Sequence, residues 1–381
     1  LKRTDSAGRA GPALRLLLGS GALLVAACSA KPVEPAAGDA RAVLVSPGDG
    51  GARDLRAPYR MAVCARLPPG SPSCDDVLLR LPDEAPAPPA VSTGDLATRY
   101  RIAFVPGFFS ECFEGFARPF ADVAKNLRRA GFEVDHLQVS GRGTARGNAA
   151  SLARHFAALD PAARPTIVVA HSKGLIDVLE LAASHPLVAR RVAAIVGVAG
   201  AFNGSPLADD LNRFYRSWLA AFPLPRCQRG TGEEIDELRP EVRAAWWQRH
   251  GPAIAVPVFS LVAAPRPDQV SPLLRVPYRH LAQIDPRNDG QLLARDQVVP
   301  GGSLLGYANA DHLAVAVPLR HELPALAFLF QDRVPRTALI EGAIEVIAAT
   351  AGREASCPKS ARRPAPADTG PRPAGRRDHS G

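Results

Sequence analysis

Residues 166–174 read Thr-Ile-Val-Val-Ala-His-Ser-Lys-Gly, and this stretch restricts the fold more than any other part of the chain. Thr166 to Ala170 are small, β-branched and apolar, the composition of a short strand covered on both faces. From Gly174 the period changes, with Leu175, Val178, Leu179 and Ala182 falling on one face of a helix. Only His171 to Gly174 remain for the turn between strand and helix. So short a turn holds Ser172 in strained backbone at the sheet's edge, with its hydroxyl projecting above a helix N-terminus. The strand and helix backbones nearly touch there, so small residues must flank the serine. Ala170 and Gly174 meet that need.

The same alternation recurs along the chain. Strands are expected at 100–105, 132–139, 192–199, 256–264 and 303–308. A helix is expected over 114–130, with Phe116, Phe120, Val123 and Leu127 on one face, and another over 149–159, with Asn148 as its cap. Repeated strand–helix–strand units give an α/β chain with a mainly parallel sheet and helices on both faces. Shorter strand-like pieces at 42–45, 59–64 and 77–81 suggest an antiparallel edge. A Pro-rich stretch, 82–92, reads as a linker or surface loop. The loop from Ser140 to Asn148 is glycine-rich but lacks the Lys-Ser/Thr of a phosphate loop, and it does not open directly from a strand, so it reads as a tight crossover. Arg142 and Arg146 are candidates to line a site, surface salt bridges being the commoner use. Residues 318–351 read as one or two terminal helices, and 352–381 as a disordered basic tail.

With the serine turn in place, further segments resemble the lipase-like α/β-hydrolases. The serine motif is A-x-S-x-G, a variant of that family's G-x-S-x-G. Pro106-Gly107-Phe108 after the first core strand is similar to the family's His-Gly-large segment, with Pro106 in place of the His. Gly200 to Asp209, ending Gly-Ser-Pro-Leu-Ala-Asp, closely resembles the segment after the family's sixth strand. Asn288-Asp289-Gly290 resembles the family's NDG-x-VP motif, although Val299-Pro300 here comes later in the chain. The resemblance covers about residues 98–350. It implies an α/β-hydrolase domain over 42–351, with a helical cap insertion at about 205–252 that carries Trp218, Trp246 and Trp247. It also implies an oxyanion hole formed by the main-chain N–H groups of Phe108 and Lys173. The Lys173 side chain either adds positive charge near that hole or pairs with a neighbouring acid.

A serine nucleophile needs a base, and the base needs an anion to hold its tautomer. In the family the order is Ser, acid, His. His312, after the last core strand, is the best base, with His321, His280 and His250 in poorer contexts. Asp289 is the expected acid and Asp296 its rival. The implied activity is cleavage of a carboxylic ester, with lipids as plausible substrates, through an acyl-enzyme on Ser172 and without a cofactor. The same triad serves amidases, peptidases and acyltransferases. A surface-anchored binding protein that keeps the fold without turnover is the alternative of another class.

The N-terminal residues are basic, followed by an apolar run from Leu16 to Ala27 that is too short to span a bilayer. It fits a secretory leader. Leu24 to Cys28 resembles a bacterial lipobox, so 1–28 is expected to be a lipoprotein signal peptide with Cys28 lipidated and 29–41 a tether. An ordinary signal peptide cleaved nearby is the alternative. Ser29 favours the outer membrane, facing the periplasm or the cell surface. Export implies an oxidising compartment. Of the six cysteines, Cys64 with Cys74 and Cys112 with Cys227 are the candidate disulfides, and Cys357 is left over. No cysteine or histidine spacing suggests a metal site. The formal charge of +9 lies mostly in the two ends of the chain, and no basic stripe with interleaved aromatics points to nucleic acid. No partner protein is implied.

Overall fold

The computed structural model describes residues 51–86, 94–113, 118–219 and 227–356. The expected leader with Cys28, the tether, the strand at 42–45 and Cys357 lie outside these residues, as does the tail beyond Ser356. Eight strands form one sheet: β1 (Arg53–Asp54), β2 (Leu78–Leu79), β3 (Arg101–Val105), β4 (Val134–His136), β5 (Thr166–His171), β6 (Val192–Val198), β7 (Val258–Ala263) and β8 (Ser303–Ala308). Their spatial order is β1-β8-β7-β6-β5-β3-β4, all parallel, and β2 alone runs antiparallel, against β8. This is the mainly parallel sheet that the buried apolar runs predict.

The period of two within each strand divides the core. Ile102, Phe104, Ile167, Val169, Val196 and Val198 pack on one face, while Ala103, Val105, Val168, Ala170 and Ile195 pack on the other. The first face is covered by α1 (Arg56–Cys64), α2 (Ala121–Arg129) and, last in the chain, the helix Arg336–Ser356; the second by α3 (Ala145–Ala158) and α4 (Lys173–Ser184). Between β6 and β7 come α5 (Pro206–Phe214) and α6 (Pro240–His250), and the terminal helix Arg336–Ser356 is α7. Each fully buried Ile, Val, Leu or Phe contributes roughly 1.5–3 kcal/mol, so a sheet buried on both sides has ample means to hold a strained turn at its edge.

Several boundaries differ from expectation. Residues 59–64 form part of α1, not a strand. Arg56, Ala57, Tyr59, Arg60, Ala62 and Val63 are its buried positions, a helical face that the β-rich composition of Tyr, Met and Val conceals. Tyr59 donates to the Leu339 carbonyl at 2.9 Å, which fastens α1 to α7. Helix α2 begins only at Ala121, and β4 is confined to Val134–His136. Helix α3 starts earlier than expected, at Ala145. Its cap is Thr144, whose Oγ1 accepts from the Gly147 N–H at 3.2 Å, while Asn148 turns inward. Helix α7 runs to Ser356, into the stretch assigned to the tail.

Disulfides join Cys64 to Cys74 and Cys112 to Cys227. The first closes a loop with a sequence separation of 10, at the edge of the sheet. Replacing both of its cysteines by serine should lower unfolding free energy by about 2–4 kcal/mol. Thermal melts of oxidised protein should show a lower Tm with an unchanged far-UV spectrum; an unaltered Tm would show that this loop is already fixed without the bond.

Candidate functional site

At the end of β5 the chain turns at Ser172 with φ 54° and ψ −127°, and α4 begins at the next residue. Hydrogen bonds hold the turn on both sides. Ser172 N–H donates to the Val198 carbonyl at 3.3 Å, and its own carbonyl accepts from Leu175 at 3.1 Å and Ala201 at 3.0 Å. The need for a small residue after the serine is steric. A Cβ at Gly174 would lie 2.5 Å from the Pro106 carbonyl oxygen and 2.7 Å from that of Val105. Gly107 is equally confined, since a Cβ there would lie 2.7 Å from Ser172 Cβ.

Ser172, His312 and Asp289 come together, although 140 and 23 residues separate the hydrogen-bonded pairs. His312 Nε2 is 2.9 Å from Ser172 Oγ, and His312 Nδ1 is 2.8 Å from Asp289 Oδ2. A carboxylate only accepts, so Nδ1 carries the proton and Nε2 is left to accept from the serine. All three side chains are buried, at 8%, 2% and 0% exposure for Ser172, His312 and Asp289. The carboxylate is held from several sides. Oδ1 accepts from the N–H groups of Gln291 at 2.8 Å and Leu292 at 2.7 Å, and Oδ2 also accepts from Gln297 Nε2 at 3.3 Å. The His312 N–H donates to the Asp289 carbonyl at 3.0 Å, which locks the two loops in register.

Asp296 faces elsewhere. Its Oδ1 accepts from Asn203 Nδ2 at 2.9 Å, on the loop after β6, and burial raises its pKa. The other histidines lie apart: His280 is bonded to Asp210 at 2.7 Å, His250 stacks on Trp246, and His321 is exposed. Arg142 is buried and donates to the Cys227 carbonyl at 3.4 Å, with its guanidinium over Phe109; Arg146 is exposed.

Phe108 directly follows Gly107, and its N–H has no acceptor among the described residues. Lys173 is the first residue of α4, so its N–H has no carbonyl of that helix to bond. The Lys173 ammonium does not point to the serine. It forms a buried pair with Asp177 at 2.7 Å, one helical turn on. Burial pushes the Asp177 carboxyl up, against the opposing pull of Lys173, Asn148 and Arg243. Glu237 is pushed to about 7, first by burial and also by the charge of Asp177.

Two contributors were not visible in the sequence. Gln297 bonds Asp289 and also brackets β7, its amide donating to the Ala263 carbonyl at 3.0 Å and accepting from the Ala263 N–H at 2.7 Å. A lone loop Gln carries no signal for that. His171 Nε2 donates to the His312 carbonyl at 2.9 Å, with the two rings 4.9 Å apart. Its place beside Ser172 was visible, but its partner was not. Burial, then the nearby His312, push the His171 pKa down to about 3.

A strained serine between strand and helix, with a histidine and a buried carboxylate in line behind it, is the constellation of an α/β-hydrolase. The metagenomic carboxyl esterase MGS0156 is similar over 81% of this chain and 96% of its own, at 35% identity and a TM-score of 0.73. Lipase BlEst2 of Bacillus licheniformis, in mature form, shares 20% identity over 56% of this chain and 84% of its own, with a TM-score of 0.46. EstA from Clostridium botulinum shares 12% over 76% of this chain and 97% of its own, at 0.45. No family model and no curated protein sequence matches the chain. The chain belongs to the α/β-hydrolases.

The His171 environment generates a pH dependence. Between the ordinary imidazole value of 6.5 and about 3, the unfolded chain binds a proton here that the folded chain excludes. Stability present above 6.5 is therefore lost as pH falls through that window. In urea melts from pH 7 to 4, His171→Gln should flatten the acid-side slope by up to about 1.4 kcal/mol per pH unit. An unchanged slope would assign the acid sensitivity to other groups.

Proposed function

We propose that this protein is an exported serine carboxylesterase that works through an acyl-enzyme on Ser172. The observation that carries the reading is the aligned run Ser172 Oγ–His312 Nε2 and His312 Nδ1–Asp289, at 2.9 and 2.8 Å. Ser172 Oγ attacks the ester carbonyl while His312 Nε2 takes its proton. Asp289 stabilises the imidazolium and keeps the ring in one tautomer. The developing oxyanion is met by the main-chain N–H groups of Phe108 and Lys173, each worth on the order of 3 kcal/mol in such a site. His312 returns the proton to the departing alcohol. Water, deprotonated by the same base, then releases the acid and restores the serine. No step needs a cofactor. We infer that the substrate is an ester of an apolar or lipid-like acid, because the half-buried rings of Phe108 and Phe109 directly follow Gly107, which lies against Ser172. We further infer that Cys28 carries lipid and anchors the enzyme to the outer membrane, on the strength of the leader and Leu24 to Cys28.

Purified protein should be labelled by a fluorophosphonate probe and should turn over p-nitrophenyl esters. Ser172→Ala and His312→Ala should each lower kcat by about 10⁶-fold, and Asp289→Asn by about 10⁴-fold. Full activity in folded Ser172→Ala would refute the mechanism. Mass spectrometry of the mature N-terminus tests the anchor separately, and a first residue other than a lipidated Cys28 would remove it.

A further inference from the structure

Both N–H groups assigned to the oxyanion adjoin a residue in left-handed backbone. Ser172, with φ 54°, precedes Lys173, and Phe109, with φ 59°, follows Phe108. Strained non-glycine backbone persists only where its surroundings over-determine it. One run of hydrogen bonds joins these two places. Lys173 Nζ donates to Asp177 Oδ1 at 2.7 Å, and Asp177 Oδ2 accepts from Asn148 Nδ2 at 2.8 Å. Asn148 brackets Ser140, donating to its carbonyl and accepting from its N–H, both at 2.9 Å. The carbonyl of the following residue, Gly141, accepts from the Phe109 N–H at 3.1 Å. The run starts on α4, crosses α3 and ends on the loop after β3.

We propose that the side chains of Lys173, Asp177 and Asn148 form a strut that sets the spacing of the Phe108 and Lys173 main-chain donors. The proposal rests on the reading of those two N–H groups as the oxyanion hole. Asp177 and Asn148, and the side chain of Lys173, are positioning groups, since none is bonded to the Ser172 hydroxyl. Their exposures are 2%, 3% and 1%, so water does not compete for their bonds. Both Asn148 amide hydrogens and its oxygen are engaged, which leaves the amide a single orientation. Stability alone does not call for the pair, because well-packed apolar residues replace a buried ion pair at little or no cost. Direction is what an ion pair and an amide add and apolar residues lack. From the insertion, Glu237 and Arg243 also face this network. Glu237 accepts from the Ala145 N–H at 2.7 Å and Arg243 donates to the Phe202 carbonyl at 3.0 Å, so each is tied to backbone of its own.

The test compares wild type, Asp177→Asn and the double variant Lys173→Met/Asp177→Leu on a soluble p-nitrophenyl ester. The double variant removes both charges together and should melt within a few degrees of wild type. Its kcat should nonetheless fall about tenfold or more, bounded by the 10²–10³-fold loss of a whole donor, with KM within about twofold. Asp177→Asn keeps the shape but sets an amide donor against either Asn148 or Lys173, and should show the same split. Wild-type kcat in the folded double variant, or in Asp177→Asn, would overturn the strut, as would a loss expressed only in KM. Should wild type neither take the fluorophosphonate probe nor cleave the ester, the reading of Ser172 itself fails and the strut falls with it. That pattern is distinct from an active wild type with unaffected variants.

Discussion

The structure depends on one close approach: the first turn of α4 lies against the end of β3 with no room for a side chain at Gly174. This contact brings two peptide segments, distant in sequence, to the same side of Ser172. It also forces the serine into a conformation that costs of order 1–3 kcal/mol. The strain is offset locally. Ile167, Val168, Val169, Leu175, Val178 and Leu179 on the two sides of the turn are all 0% exposed, and burial of any three of them exceeds the strain. Strand and helix therefore hold the turn, and the turn in turn fixes where the hydroxyl stands.

The electrostatics of the site follow from burial and from how each charge is met. Asp289 is 0% exposed yet surrounded by donors: two backbone N–H groups, the Gln297 amide and the His312 ring. His171 has the opposite environment. It is buried, the His312 ring lies 4.9 Å away, its bonded partner is a carbonyl, and it stays neutral. The two rings also meet different acceptors, a carboxylate for His312 and a neutral carbonyl for His171.

The parts of the chain that could be read directly from sequence are those where a single physical requirement dominates. Strand β5 and helix α4 are buried all round or on one clear face, so their period is plain, and β8 was expected over the residues it occupies. The three residues brought together in the site follow strands, where loops converge at one end of a parallel sheet. Where two requirements compete, the reading failed. Residues 59–64 have strand-like composition, but their buried spacing is helical, because α1 must lie along α7 with Tyr59 reaching the Leu339 carbonyl. Asn148 has a capping residue's chemistry, but Thr144 caps α3 and frees Asn148 for the interior. Gln297 and Asp177 carry no motif at all. Their contacts arise from folding distant segments together, and no local pattern encodes them.

The loop after β3 ties the site to the insertion. The main chain of Phe108 adjoins the serine, while its ring packs against Phe109 at 4.5 Å and against Tyr215 of the insertion at 5.5 Å. Four residues further on, Cys112 is bonded to Cys227, near the middle of the same insertion. Tyr215 is itself fixed through its hydroxyl, which donates to Glu234 at 2.7 Å, and Glu234 accepts from the Gly232 N–H at 2.9 Å. A change in the insertion is therefore transmitted along a covalent link and an aromatic contact to a segment that ends at Phe108. From the opposite side, the Phe109 N–H is held by Gly141. The position of the Phe108 N–H is the resultant of these restraints.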